Sequence, residues 1–476
     1  MPRPHFLLVT YPAQGHINPA LQLAKRLAST SSAHITFTTT ASAIRRINNN
    51  NNNNPHPFLT HVSISDGYEE NGDNPASDSP FQRMTRFSLA GSKSLLVLAR
   101  SLSDQGHPVT CIIYTLLLPW AADVARQLGI PSAVFWLQPA AVFSVYYHYF
   151  HGYKDVIDSG VHHPEFMVNL PGLPPLASRD FPSFFLPNDP YSFVIPAFEE
   201  QFKTIIERQV GGMSKPKVLV NTFYALESDV VKSMDGVELI GVGPMVPLAY
   251  TDEHDSSDKA FGVDLFDKDE KDYKKWLDAK PEKSVVYVSF GSLALLQKRQ
   301  LEEMTKGLME SGRPFLWVLR KAQREAEKDV IIETEVIEGG EDKRGMVVEW
   351  CSQVEVLSHP SIGCFVTHCG WNSTVESLFS GVPMVGMPQW TDQPMNAKMV
   401  EDVWGSGLRG RVNGEGVVEA EELIRCLEAV LGEEGEGVRR RAEEWREKAL
   451  EAVREGGSSH RSLGRFVEEV WGHASE

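Results

Sequence analysis

Residues 363–376 read G-C-F-V-T-H-C-G-W-N-S-T-V-E. The first six form a short run of apolar and β-branched residues without polar alternation, as expected of a strand buried on both faces of a parallel sheet. Gly370 then opens a stretch with helical character, Trp371, Asn372, Ser373 and Glu376, so a helix follows the strand with no hairpin between them. A buried strand that feeds a helix is a βα unit, and such units build doubly wound sheets.

The same alternation extends in both directions. Strands are expected at 284–290, 315–320, 346–350 and 384–387, and in the first half of the chain at 6–11, 34–40, 109–115, 132–137, 218–223 and 238–243. Asn18-Pro19 is read as a helix start, with Asn as N-cap and Pro in the first turn, which leaves His16 in the loop before it. Residues 247–268 change to polar, acidic, unpatterned text, as an interdomain linker does. The expected organisation is therefore a domain at 1–246, a linker at 247–268 and a domain at 269–476, whose last helix, near 458–472, can pack back on the first domain. Ligands of doubly wound sheets bind at the carboxyl ends of the strands, so two such domains facing across a cleft are expected to share a site there.

Composition narrows the function. A length of 476 residues is about three times the ordinary domain. With 63 acidic and 46 basic residues the net charge is −17, which repels nucleic acid and anionic lipid. Five unpatterned cysteines suit a reducing compartment, and with no secretory core at the amino end a cytoplasmic enzyme is expected. The most apolar stretch, 130–150, is broken by Pro131, Gln138, Pro139 and His148, so a strand, turn and helix fit it better than a membrane span. The seven asparagines from Asn48 to Asn54 read as a mobile surface loop.

Several patterns reduce to ordinary structure. Gly405 to Gly410 spells G-x-G-x-x-G, but after a helix and before a strand, the reverse of a dinucleotide fingerprint, so it reads as a glycine helix stop. Asp267 and Asp269 form a D-x-D within the linker, a solvated charge run. Cys364, His368 and Cys369 lack a second ligand pair for zinc, and Arg439 to Arg441 are interleaved with acids on a helix. No metal site is expected. The turn at 368–373 differs, because backbone N–H groups at a helix start, joined by His368, Asn372 and Ser373, make a site for a diphosphate. A capped structural turn would explain Asn372 and Ser373. It would not explain Trp350, Gln353, His368, Glu376, Asp392 and Gln393 at neighbouring strand ends, which are residue types that stack on bases and bind hydroxyls.

The 44 residues from Trp350 to Gln393, W-C-S-Q-V-E-V-L-S-H-P-S-I-G-C-F-V-T-H-C-G-W-N-S-T-V-E-S-L-F-S-G-V-P-M-V-G-M-P-Q-W-T-D-Q, resemble without a gap the donor signature of plant family 1 UDP-dependent glycosyltransferases. P-A-Q-G-H-I-N-P at 12–19, S-F-G-S at 289–292 and the overall length resemble that family too. The stretches Y-T-L-L-L-P-W and L-P-G-L-P-P-L look most like the subgroup of anthocyanin 5-O-glucosyltransferases and enzymes that form glucose esters. The resemblance implies a GT-B fold of two Rossmann-like domains, the acceptor held by the first and a UDP-sugar by the second. It implies that Trp350 stacks on uracil, Cys351 meets it through backbone, Glu376 takes the ribose hydroxyls, and Ser292, His368, Asn372 and Ser373 hold the diphosphate. Gln353 and Gly370 complete the donor set, and Trp371, Asp392 and Gln393 address the sugar, in the pattern of glucose users.

His16 would be the base, since an imidazole suits removal of a hydroxyl proton at neutral pH. Relatives usually place an Asp beside it; here Thr115 stands there, so the dyad is incomplete and the base is expected to be weaker. The acceptor pocket is expected around Gln138, Phe143 and Tyr147, within an aromatic series half of which is ordinary core. The reading is an inverting transfer of glucose from UDP-glucose to a phenolic hydroxyl or a carboxylate of a small plant metabolite, by a monomer needing no metal or other cofactor. The alternatives are a non-catalytic ligand-binding protein that keeps a UDP-sugar cleft, and a nucleotide oxidoreductase, which the reversed glycine pattern does not support.

Overall fold

The computed structural model describes residues 3–31, 33–50, 57–68, 77–163, 165–187, 189–207, 215–250, 272–320, 323 and 344–475. The chain forms two units. One comprises Met1–Ser178, Phe184–Leu265 and Glu451–Glu476; the other comprises Arg179–Ser183 and Phe266–Leu450. The short piece Arg179–Ser183, from within the first half of the chain, thus belongs to the second unit, and the closing helix Ser458–Ser475 belongs to the first. That helix stacks Phe466 on Phe6 and donates the Ser459 hydroxyl to the Gly243 carbonyl. Most of the expected linker, and Asp267 and Asp269 with it, lies outside the described residues.

The first unit holds a parallel sheet of seven strands in the order β3-β2-β1-β4-β5-β6-β7. These are β1 (His5–Val9), β2 (His34–Thr40), β3 (Leu59–Ile64), β4 (Cys111–Thr115), β5 (Ser132–Trp136), β6 (Lys217–Val220) and β7 (Glu238–Gly241). The second unit has six, β10-β9-β8-β11-β12-β13, made of β8 (Val285–Ser289), β9 (Phe315–Val318), β10 (Gly345–Val348), β11 (Ile362–Thr367), β12 (Met384–Gly386) and β13 (Gly407–Arg409). Central strands such as β1, β4, β8 and β11 are buried along their whole length, which is why their sequences are unbroken apolar runs.

Strand order locates the candidate sites. From β1 the first sheet grows outward through β2 to β3, and then β4 pairs on the other side of β1, Phe6 to Cys111 through Val9 to Tyr114. In the second sheet β8 and β11 are the corresponding neighbours, with Phe365 beside Tyr287 and Thr367 beside Ser289. At each reversal the connections leave toward opposite faces and open a crevice at the strands' carboxyl ends.

Three expectations need correction. The first helix runs Gln14–Ser31 and contains Pro19, so His16 lies in its opening turn and not in a loop. The Ala13 carbonyl accepts from the N–H groups of both His16 and Ile17, which starts the helix early; burial of Ile17, Asn18 and Leu21 outweighs the one ladder bond that Pro19 removes. Edge strand β3 has no counterpart among the expected strands. Asn48 lies in the helix Ala41–Asn50 with its side-chain Oδ1 bonded to the His61 ring, while Asn51 to Asn54 fall outside the described residues.

All five cysteines are buried free thiols. Burial raises Cys369 and Cys426 to about 12 and pushes Cys111 and Cys364 higher still. Among the described residues no helix is long and apolar enough to cross a membrane.

Candidate active site

At the reversal of the first sheet, β1 leads into Thr10 and Tyr11, and β4 ends in Thr115. His16 Nδ1 lies 3.3 Å from Thr115 Oγ1. The same oxygen accepts the Tyr11 N–H at 3.2 Å, and the Thr115 hydroxyl donates to Thr10 Oγ1 at 3.5 Å. A hydroxyl has one proton, so with it turned to Thr10 the Thr115 oxygen can only accept from the ring. That assigns the proton to Nδ1 and leaves the basic lone pair on Nε2. Thr115 is fully buried, and the Tyr11 ring packs 5.4 Å from the imidazole. Burial alone lowers the His16 pKa to about 4, so the ring is neutral at pH 7 and ready to accept a proton, without a carboxylate to strengthen it.

At the reversal of the second sheet, β11 delivers His368 and β8 delivers Gly291 and Ser292. The His368 ring is cradled by glycines: a Cβ at Gly291 would stand 2.7 Å from its Nε2, and one at Gly370 would stand 2.5 Å away. Burial, reinforced by the Arg320 charge and opposed by a hydrogen bond to the Ser289 backbone, lowers its pKa to about 4. Arg320 donates to the carbonyls of Ser292 and Ala294, tying that loop down beside the imidazole. Cys369 follows with φ of +59, a left-handed conformation costly for a residue with a side chain, and this kink aims the helix Trp371–Ser380. Gly370 is its N-cap and supplies no side-chain cap, so the arrangement is not the capped structural turn that would account for Asn372 and Ser373. Asn372 is half-buried in the first turn.

One turn along that helix, Glu376 and Ser373 meet the sequence-predicted Gln353. Gln353 Nε2 donates to Ser373 Oγ at 2.8 Å and to Glu376 Oε2 at 2.6 Å, and the Tyr287 hydroxyl donates to Gln353 Oε1 and contacts the Cys351 sulfur, both at 3.4 Å. Glu376 is almost fully buried; desolvation outweighs the Gln353 bond and raises its pKa to about 8. Trp350, half-buried, adjoins this network through Cys351. Asp392 accepts from the Trp371 backbone N–H and from Asn396 Nδ2 at 2.7 Å; burial lifts its pKa to about 6. Gln393 Oε1 accepts the N–H groups of Gln389 at 2.8 Å and Trp390 at 3.1 Å, which fixes the amide so that its NH₂ is the remaining polar edge.

The structure thus brings together His368 with Gly370 and with Gly291, the neighbour of Ser292, Gln353 with Ser373 and Glu376 and, through Tyr287, with Cys351, Trp371 with Asp392, and His16 with Thr115. The expected acceptor residues stand at the end of β5. Gln138 is half-buried before the helix Ala140–His148, whose first N–H groups, of Ala140 and Ala141, are held by the buried Glu227 carboxylate at 2.9 and 2.8 Å. Phe143 needs correction: it has no exposed surface and packs against Trp136 and Phe202, so it is core and presents nothing to a ligand. Tyr147 is half-buried and stacks on His151. Sequence reasoning missed Tyr287, Arg320, Asn396, Thr10 and Glu227. Asn396 alone carried a local signal, standing four residues after Asp392 at helical spacing. Among the described residues no group of three or more His, Cys, Asp or Glu side chains is placed to hold a metal ion.

Comparison with known proteins bears on the reading. The family described as UDP-glucoronosyl and UDP-glucosyl transferase matches residues 263–438. The chain is 48% identical over 473 residues to a chloroplastic crocetin glucosyltransferase of Gardenia jasminoides, covering 98% of this chain and 97% of that protein. It is 46% identical over 475 residues to anthocyanidin 3-O-glucoside 5-O-glucosyltransferase 1 of Perilla frutescens, with 99% of both chains covered. The crystal structure of Os79 from O. sativa in complex with UDP superposes with a TM-score of 0.83 at 32% identity, covering 98% of this chain and 100% of that one. Relatives named as glucosyltransferases do not favour a non-catalytic binding protein. Two parallel-sheet units, a nucleotide-type turn in the second and likeness of this extent show that the chain is a GT-B enzyme belonging to the plant family 1 UDP-dependent glycosyltransferases, in the subgroup that includes the anthocyanidin 5-O-glucosyltransferases.

Proposed function

We propose that this glucosyltransferase moves glucose from UDP-glucose to a phenolic hydroxyl of flavonoid or anthocyanin type, or to a carboxylate, with inversion at the anomeric carbon. The observation that carries the reading is the placement of one neutral histidine at each sheet reversal, one beside a hydroxyl and one between two glycines and an arginine. A phenolic oxygen attacks the anomeric carbon and yields its proton to His16 Nε2, whereas a carboxylate, already ionised, attacks with no proton to give up. The bond from that carbon to the diphosphate oxygen breaks, and UDP leaves with the electron pair.

In the second unit His368, Ser292, Asn372, Ser373 and the opening turn of the helix Trp371–Ser380 receive the diphosphate, with Gly370 giving the ring room. Glu376, held by Gln353, takes the ribose hydroxyls, and Trp350 and Cys351 take the uracil. Asp392 and the NH₂ edge of Gln393 bind sugar hydroxyls, with Trp371 beside them. Because fixed dipoles and neutral donors meet the diphosphate, the reaction proceeds without a divalent cation or other cofactor, in a monomer of the cytoplasm.

A base with a pKa near 4 gives a weak acid less help than one matched to about pH 7. Carboxylates, ionised at about pH 7, and acidic phenols should therefore be glucosylated before aliphatic alcohols. The test is a panel of these acceptors with UDP-glucose in the presence of chelator, products read by mass. Product from carboxylates and phenols is expected. Turnover that needs added Mg²⁺ or Mn²⁺, or a preference for aliphatic alcohols, would overturn the reading.

A further inference from the structure

We infer that the segment Arg179–Ser183 is a positioning strap for the sugar-recognising loop, and that Ser183 sets the discrimination among donor sugars. The inference rests on the reading above in which Asp392 and Gln393 bind the sugar.

Thr391, immediately before that pair, has φ of +57. A β-branched residue in the left-handed region is strained and persists only where its surroundings hold it. Ser183 supplies the hold on both sides of the residue: its N–H donates to the Thr391 carbonyl at 2.8 Å, and its hydroxyl accepts the Thr391 N–H at 2.8 Å. Ser183 is itself buried.

The strap is anchored by Asp180, only 2% exposed. Its carboxylate accepts from Arg409 Nη1 at 2.8 Å and lies 3.7 Å from Lys398 Nζ, while Arg409 Nη2 donates to the Arg179 carbonyl at 2.8 Å. Arg409 ends β13, and Lys398 ends the helix Gln393–Lys398 that the sugar pair opens. The segment therefore grips Thr391, two residues before this helix, and Lys398, the last residue in it. Asp392 and Gln393 can keep their bonds to Trp371, Asn396, Gln389 and Trp390 only while Thr391 holds its turn. The strap's bonds to Thr391, Lys398 and Arg409 flank the sugar pair, so its influence is expected to fall on the sugar more than on the nucleotide.

The test compares Ser183→Ala, Ser183→Thr, Asp180→Asn and Gln393→Ala for KM and kcat with UDP-glucose, for the rate ratio of UDP-glucose to UDP-galactose, and for the Kd of UDP, thermal midpoints being checked throughout. Ser183→Ala should raise the UDP-glucose KM roughly fivefold, the size of one lost hydrogen bond, and lower the sugar ratio similarly. The Kd of UDP should stay within about twofold, and Ser183→Thr, which keeps the hydroxyl, should recover most of the loss. Asp180→Asn, which keeps its shape, should move the same quantities in the same direction and carries the comparison if Ser183→Ala does not fold. Equal losses for UDP and UDP-glucose would mark a merely structural role and overturn the inference. If Gln393→Ala impairs sugar choice while the strap variants do not, the inference falls and the sugar assignment stands. If Gln393→Ala changes nothing, the assignment falls and takes the inference with it.

Discussion

His16 and His368 flank the reversals of their sheets on opposite sides, His16 in the opening turn of the helix that follows β1 and His368 directly after β11, the counterpart of β4, and in each burial lowers the pKa to about 4. Their neighbours differ. His16 faces the Thr115 hydroxyl, which accepts from one ring nitrogen and leaves the other basic. His368 faces Arg320 across a loop and is closed in by Gly291 and Gly370. A cation beside an already neutral ring discourages protonation by the protein alone, yet a bound diphosphate would favour it. In the proposed reading one topology thus provides a proton acceptor in the first unit and an anion's partner in the second, and the distinction lies in a few neighbouring residues.

The sharpest way to break this comparison is to remove each ring in turn. His16→Ala should lower kcat/KM for a phenol by about 10²-fold, the low end for a general base because its pKa lies so far below the working pH, and leave the Kd of UDP unchanged. His368→Ala should weaken UDP binding directly, and calorimetry with UDP alone separates the two. A parallel loss of UDP affinity in both variants would erase the distinction.

Next in size is Gly370→Ala. Its φ of −59 suits any residue, so backbone strain is not at issue. The new Cβ, 2.5 Å from His368 Nε2, must displace the ring, and a loss in UDP affinity of roughly tenfold is expected, the scale of one charge-assisted hydrogen bond. Unchanged affinity in a folded variant would show that His368 does not meet the phosphate.

The smallest effect concerns Thr115→Asp. In the parent protein His16 is protonated, and so inactive as a base, only as the pH falls toward about 4, well below the ordinary histidine value. An ionised Asp, supported by the Tyr11 N–H, would stabilise imidazolium and raise that pKa. The acid limb of kcat/KM should then move to higher pH, and weakly acidic phenols should gain a few-fold relative to carboxylates. The same depressed pKa values have a stability consequence with a definite sign. The unfolded chain binds protons at these two histidines near 6.5 and the folded one only near 4, so the stability they contribute, complete above about pH 6.5, is lost as the pH falls toward 4.

How much of this was legible in the sequence follows from how local each signal is. The central strands were readable because burial on both faces leaves an unbroken apolar run; β3, half-exposed at the sheet edge, has no such run. Pro19 misled because a proline near a helix start usually sits in the first turn, and here buried neighbours carry the helix past it. Most of the proposed donor residues could be named from sequence because they crowd into 44 consecutive positions. The partners that orient them, Tyr287, Arg320 and Ser183, lie far away in the chain, and nothing in their own surroundings marks them. Phe143 was misjudged for the related reason that an aromatic run does not reveal which rings face inward.

The buried thiols make the protein its own recorder of opening. Cys111 is the one cysteine of the first unit, and Cys351, Cys364, Cys369 and Cys426 all belong to the second. A thiol-directed reagent meets almost no reactive sulfur on the native molecule, so each modification dates an excursion of the backbone that exposes it. A mass spectrum taken during mild denaturation would show one added label when the first unit yields and up to four when the second does. The order in which the halves come apart could thus be read without introducing any probe by mutation.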